Sequence, residues 1–395
     1  MKKLIILFIF LFLSNPLILK SQETHEEMRG IFVPTIFNIS WPSSSDVESQ
    51  KSELIDILDT AVSNNYNSIF LQIRPAGDAF YKSDIDPWSN WLTSEEGKSP
   101  NPLWDPLEFA INESHKRGLE LHAWINPYRV KYGKYKTDPN NVINKHPDWV
   151  FSHKSKPDLI VLDPGLPEVR DYIVKIVEDI SIRYDIDGIH FDDYFYLYDG
   201  MSNQDQDTYQ KYNTNDMTLG DWRRDNVNKM VYMVYDSIQV INKKYNKNII
   251  FGISPFGIWK YNVPKGIKGS SSYYSMYCDP IDWMKKGKVD YIAPQLYWRF
   301  GGNQDYEKLS QWWNDQSEKY GVHLYVSQRY YGMESPNWSP QEIQRQIDKN
   351  RSEGMKATHG QIVYRYNEIR DNHYKINDYL NNDQYKHKAN IPKIK

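Results

Sequence analysis

The chain has 395 residues and a formal net charge of -3, with 25% charged and 40% hydrophobic residues. That profile fits a globular protein with a sizeable core, and the near-neutral charge gives no electrostatic reason to expect a nucleic acid or an anionic membrane as partner. A single cysteine, Cys278, excludes an internal disulfide, while 31 Tyr and 13 Trp supply more flat faces than a core needs, faces able to stack on ligands such as sugar rings.

Residues 1–21 read as a secretory signal peptide: Lys2 and Lys3 precede the apolar run LIILFIFLFLSNPLIL, and polar sequence follows from about Ser21. Pro16 and the short span argue against a stable membrane anchor, and no cysteine follows to carry a lipid. Export as a soluble protein, to a periplasm or the exterior, is expected. Residues 22–375 then form one domain. Its apolar runs are RGIFVPT (29–35), NSIFLQIRP (67–75), LELHAWINP (119–127), DGIHFDD (187–193), IIFGISPF (249–256), DYIAPQLYW (290–298), HLYVSQ (323–328) and GQIVYRYN (360–367). Most are continuous instead of alternating, as parallel strands covered on both faces require. Amphipathic stretches separate them; in EVRDYIVKIVEDISIRY, Ile173, Val174, Val177 and Ile180 form a helical stripe. Asp105-Pro106 and Pro167-Glu168 mark helix starts, and Gly118 marks a stop. Eight strands alternating with helices predict an α/β fold of the TIM (β/α)8 barrel type, with elaborated loops after strands two to five. An open doubly wound sheet is the rival, although no Gly-rich phosphate loop follows the first strand. The basic segment 376–395 is expected to be a solvated tail.

In such a barrel the C-terminal strand ends carry function, and polar residues gather there. Strand four ends in DIDGIHFDDYFY, with Asp192 and Asp193 adjacent. His190 and Asp192 share one side of the strand, and Asp193 reaches the same mouth only if the chain turns. Two close carboxylates resist double ionisation, which raises one pKa toward that of the acid needed to protonate a glycosidic oxygen. A second carboxylate on another strand tip, as ordinary retaining glycosidases use, is missing; Asp78, Asp163 and Asp199 are loop candidates only. The adjacent pair instead suits substrate-assisted chemistry, in which a sugar 2-acetamido oxygen attacks. Asp192 is assigned to orienting that group and Asp193 to acid/base work, with the reverse order open. Tyr297 is a hydroxyl donor candidate.

Several blocks resemble one family: RGIFVPT, LQIRPAGDAFYKSDIDPWSNWLT, LHAWINPYR, HPDWV, LDPGLPEVRDYI, DIDGIHFDDYFY, GISPFGIW and VDYIAPQLYW. In order and spacing they are similar to the bacterial glycosyl-hydrolase-like family 10. The resemblance implies a TIM barrel of the cell envelope that cleaves peptidoglycan glycan strands stripped of their peptides. The chain departs from some members in lacking the lipidated cysteine. Gly188, His190 and Asp192 also resemble the Gly-x-Arg-x-Asp spacing of amylase-type barrels, but the Arg and the fifth-strand acid are absent.

Around the pair, Arg74, His122, Asn126, His190, Trp259, Gln295, Tyr297 and Trp298 are candidate substrate-binding residues, chosen because they end or line strands at the mouth. Arg74 can equally form a structural salt bridge and His122 a satisfied core contact. No metal-ligand spacing and no Gly-x-Ser-x-Gly elbow is present, so neither a metal, a cofactor nor a serine nucleophile is expected. The expected partner is a polysaccharide, foremost an N-acetylated glycan. The competing readings are a hydrolase of a non-acetylated polysaccharide with Asp192 as nucleophile, and a non-catalytic barrel that binds glycans through its aromatics.

Overall fold

The structure, a computed structural model, describes residues 25–333 and 338–394, so the expected signal segment lies outside it. Eight parallel strands close into a barrel in chain order. They are β1 (Met28–Val33), β2 (Ser68–Arg74), β3 (Glu120–Ile125), β4 (Gly188–Phe191), β5 (Ile250–Ile253), β6 (Tyr291–Ile292), β7 (His323–Arg329) and β8 (Thr358–Tyr364). The principal helices that follow them are α1 (Val47–Ser63), α2 (Pro106–Lys116), α3 (Pro167–Arg183), α4 (Leu219–Tyr245), α5 (Pro280–Lys285), α6 (Tyr306–Tyr320), α7 (Pro340–Asn350) and α8 (Ile376–Asn382). The predicted TIM barrel is what forms, and the open-sheet rival fails because β8 pairs back onto β1.

Local chemistry sets the boundaries. The Asp105 carboxylate accepts from the Leu107 and Glu108 N–H groups ahead of Pro106, a cap worth about 1 kcal/mol. Ile173, Val177 and Ile180 of α3 are buried against the sheet. Two apolar layers result: a large one between strands and helices, and a small one inside the barrel that includes Met28, Phe32, Phe70, Tyr291, Tyr325 and Ile362. The interior layer depends on missing side chains, since a Cβ at Gly252 would overlap the Tyr291 ring.

Two expectations need correction. Strand six was predicted over 290–298 but pairs only at Tyr291–Ile292; Pro294 offers no N–H to the ladder, and beyond it Gln295 makes only isolated bridges to Phe256 and Ser327. The loop after β3 is elaborated as expected: Arg129–Tyr132, Val150–His153 and Lys156–Leu162 form a small antiparallel sheet. The tail is solvated only on one side. It forms α8 and then crosses the bottom of the barrel, where the Glu27 N–H donates to the Asn390 carbonyl (2.8 Å) and the Arg29 guanidinium to the His387 carbonyl (2.7 Å). Tyr385 is fully buried there, its hydroxyl accepting from Gln361 (2.8 Å). Polar groups at the barrel floor need partners, and the tail supplies them. No helix among the described residues is long and apolar enough to cross a membrane.

Candidate active site

The strand-four carboxylates meet in one cleft at the C-terminal face. β4 ends at Phe191, and the Phe195 N–H then donates to the Asp193 carbonyl (3.0 Å), turning the chain. Both side chains thereby line a cavity of about 400 Å³ together with His190, Ser254, Gln295 and Tyr297. Each is almost fully buried, at its floor.

The two acids sit in different surroundings. Asp192 is held by three donors: Trp124 Nε1 (3.0 Å), Asn126 Nδ2 (3.0 and 3.2 Å to its two oxygens) and the Tyr194 N–H (3.4 Å). Burial pushes its pKa above the ordinary carboxylate range, while the Arg129 charge and these hydrogen bonds pull it back. Asp193 is pushed up to about 8, by burial first and by the Asp192 charge second, with the Gln295 amide opposing. Its Oδ2 is buried with no hydrogen-bond partner among the described residues. One acid is thus fixed by donors that favour the anion; its neighbour keeps a proton near neutral pH.

Other predicted residues divide by position. Asn126 orients Asp192, as above, and its own side-chain oxygen accepts from the Arg129 N–H (2.8 Å). His190 is on the cleft floor with both ring nitrogens engaged, by the Tyr291 hydroxyl and Ser254 Oγ (2.9 Å each); burial, with His122 adding, keeps it neutral well below the usual range. Gln295 donates to the Ser254 carbonyl (3.1 Å). Burial holds the Tyr297 phenol protonated, so it remains a donor facing the cleft. Trp298 lines an adjoining cavity.

Arg74, His122 and Trp259 do not line the cleft. Arg74 is fully buried, paired with Asp86 (2.7 Å) and donating to the Asn126 carbonyl (2.8 Å), so it stands behind the site and fixes the loop that carries Asn126. His122 stacks on Phe70 inside the barrel (4.4 Å between rings) and contacts Glu120 (3.2 Å), which places it beneath the site. The Trp259 indole donates to Asp279 (2.9 Å) and stacks on Trp312, which turns it toward the helices. The loop acids Asp78 and Asp163 are buried away from the cleft, on Ala76 and Ser89 and on Gly165 and Thr208 respectively; Asp199 is exposed. Among the described residues lining the cleft, Asp192 and Asp193 are the only carboxylates.

Sequence reasoning passed over Arg129, Gln72, Tyr194, Tyr331 and Tyr364, all on the cleft. Arg129 is the most consequential, a buried cation over the Tyr194 ring (4.9 Å) that biases Asp192 toward its anion. It closes the run LHAWINPYR, and the signal was its place two residues past the Asn126-Pro127 pair. Among the described residues no cluster of three or more His, Cys, Asp or Glu could hold a metal ion.

Comparison with known proteins agrees with this architecture. The chain is 38% identical to "Glycosyl hydrolase YngK" of Bacillus subtilis over 99% of its own length and 78% of that protein's. It is 34% identical to "Glycosyl hydrolase DigH" of Escherichia coli K12, over 92% and 86% of the two chains. The fold is similar to the PgaB (BpsB) glycoside hydrolase domain of Bordetella bronchiseptica, with a TM-score of 0.57, 14% identity, and 90% and 98% coverage. It is also similar to α-L-fucosidase isoenzyme 2 of Paenibacillus thiaminolyticus, with a TM-score of 0.56, 12% identity, and 91% and 50% coverage. A family profile described as "Glycosyl hydrolase-like 10" matches residues 27–344. With that match, these relatives and a barrel whose mouth holds paired acids, the chain belongs to the glycosyl hydrolase-like 10 family of TIM-barrel glycoside hydrolases.

Proposed function

We propose that the protein is exported and cleaves O-glycosidic bonds in N-acetylated glycans, foremost peptide-free peptidoglycan strands, by substrate-assisted catalysis. The observation that carries this reading is the contrast within the pair: Asp192 anchored by Trp124 and Asn126, Asp193 unpartnered at Oδ2 and protonated near neutral pH. In the first step the Asp193 carboxyl gives its proton to the glycosidic oxygen while the acetamido oxygen attacks the anomeric carbon. The carbon–oxygen bond breaks, the leaving sugar departs as an alcohol, and a cyclic oxazolinium forms. Asp192 accepts a hydrogen bond from the acetamido N–H and balances the developing positive charge; the Tyr297 hydroxyl donates within the same cleft. In the second step the Asp193 carboxylate takes a proton from water, whose oxygen attacks the anomeric carbon and reopens the ring. One water is consumed, and Asp193 recovers its proton.

The absence of any other carboxylate among the described lining residues supports this scheme over one with Asp192 as a direct nucleophile. The test is product analysis by mass spectrometry after incubation with peptide-free glycan strands. Wild type is expected to release short saccharides, and Asp193→Asn to release none while keeping its circular dichroism spectrum. Lack of products from every N-acetylated glycan defeats the proposal. Efficient turnover of chains lacking the acetamido group defeats the acetamido step.

A further inference from the structure

A second cavity, of about 620 Å³, adjoins the catalytic cleft and shares Gln295, Tyr297 and Tyr331 with it. Its character is different. Two guanidinium groups, Arg299 and Arg329, line it, and no carboxylate does among the described residues. Neither arginine forms an ion pair with a described acid; Arg299 is exposed and Arg329 half-buried. Arg329 is the last residue of β7, in register with Tyr364 of β8, so its backbone is fixed by the barrel ladder. Its guanidinium packs over the Trp338 ring at 4.4 Å and lies 5.0 Å from the Tyr331 ring. Its Nε is buried and has no hydrogen-bond partner among the described residues, and the same holds for Nε1 of Trp338, a residue only 3% exposed.

A cation packed against aromatic rings loses less freedom on binding than one on a mobile side chain, and a guanidinium fork matches a carboxylate with two parallel hydrogen bonds. Trp298, on the wall, offers a flat face for a sugar ring.

We propose that this cavity is a subsite for a sugar that carries a free carboxylate, with Arg329 as the principal carboxylate-binding residue and Arg299 as its outer partner. The inference deepens the proposed function and rests on it for the identity of the chain: in peptide-free peptidoglycan the carboxylate is that of the lactyl ether on N-acetylmuramic acid, and a uronic acid presents the same chemistry. A peptide joined to the lactyl group converts the carboxylate to an amide and removes the charge that Arg329 reads.

The experiment is calorimetric binding to the full chain carrying Asp193→Asn, which cannot turn substrate over. Three probes are compared: peptide-free glycan strands, the same strands with the carboxyls reduced to alcohols, and an N-acetylglucosamine–glucuronate oligosaccharide. The native strands are expected to bind at least about tenfold tighter than the reduced ones, the scale of a charge-assisted pair. Adding Arg329→Gln should bring that ratio close to one, and Arg299→Gln, at an exposed position, should lower it partway. Tighter binding of the lactyl strands than of the glucuronate chain assigns the lactyl source; the reverse order assigns the uronate. Equal affinity for native and reduced strands overturns the subsite, as does an Arg329→Gln loss that is the same for both. Because binding is read without turnover, a wild type inactive on every glycan defeats the proposed reaction and leaves this comparison standing.

Discussion

Asp193→Asn is expected to make the protein inactive and, at alkaline pH, more stable. In an unfolded chain an Asp carboxyl titrates at about 3.9, whereas Asp193 in the fold keeps its proton up to about 8. Between those values the folded state binds the extra proton, so this group's contribution is fully present below about pH 4 and is lost as pH rises toward 8. At about 1.36 kcal/mol per pH unit, the loss comes to about 1–2 kcal/mol by pH 5 and about 5 kcal/mol by pH 8. The Asp193→Asn variant has nothing to titrate at this position, so its stability relative to wild type should improve by about 4 kcal/mol between the two pH values. Other raised acids, such as Asp78 at about 6 and Glu96 at about 8, are common to both proteins and cancel in the comparison. Urea denaturation of both proteins at pH 5 and pH 8 measures the difference. Unfolding free energies that differ by the same amount at both pH values would show that Asp193 is not held protonated by burial, and the acid role would fall with it.

The rate should carry the same signature. For wild type, kcat/KM on a peptide-free glycan should fall above about pH 8, as Asp193 loses its proton. Arg129→Met removes the cation that lowers the Asp192 pKa, so the acidic limb of that profile should move to higher pH; an unmoved limb would exclude Asp192 as the group that must be ionised. Asn126→Ala deletes one donor to the buried Asp192 and should lower kcat by roughly 10- to 100-fold, corresponding to about 1.5–3 kcal/mol, with circular dichroism unchanged. Tyr385→Ala, at the far end of the barrel, should cost about 3–5 kcal/mol of stability in urea while leaving KM unaltered.

The barrel was legible because parallel strands buried on both faces must be apolar without interruption, and runs such as IIFGISPF carry that mark directly. Strand four was legible for the opposite reason: two carboxylates at the end of an apolar run conflict with burial and point to function. What escaped depends on partners distant in sequence. Arg74 reads as a mouth residue until Asp86, twelve positions on, claims it. Trp259 stands next to a strand tip, but Asp279 and Trp312 decide where it faces. Arg129 looks like one more surface arginine until the inserted sheet folds it over Tyr194. The tail, rich in Lys and Asn, has the composition of a solvated end; only the unmet hydrogen bonds of Arg29, Asn67 and Gln361 at the floor give it a place.

That floor has a geometric consequence. His25 and Asn390 are joined backbone to backbone at 2.9 Å, below the first strand, while the acids open at the opposite pole. Anything attached at either end of the described chain, whether an affinity tag, a surface linker or a fused neighbour, therefore leaves from the closed pole. A molecule immobilised through either end presents its opening outward, and a long polymer can be threaded across it without meeting the point of attachment.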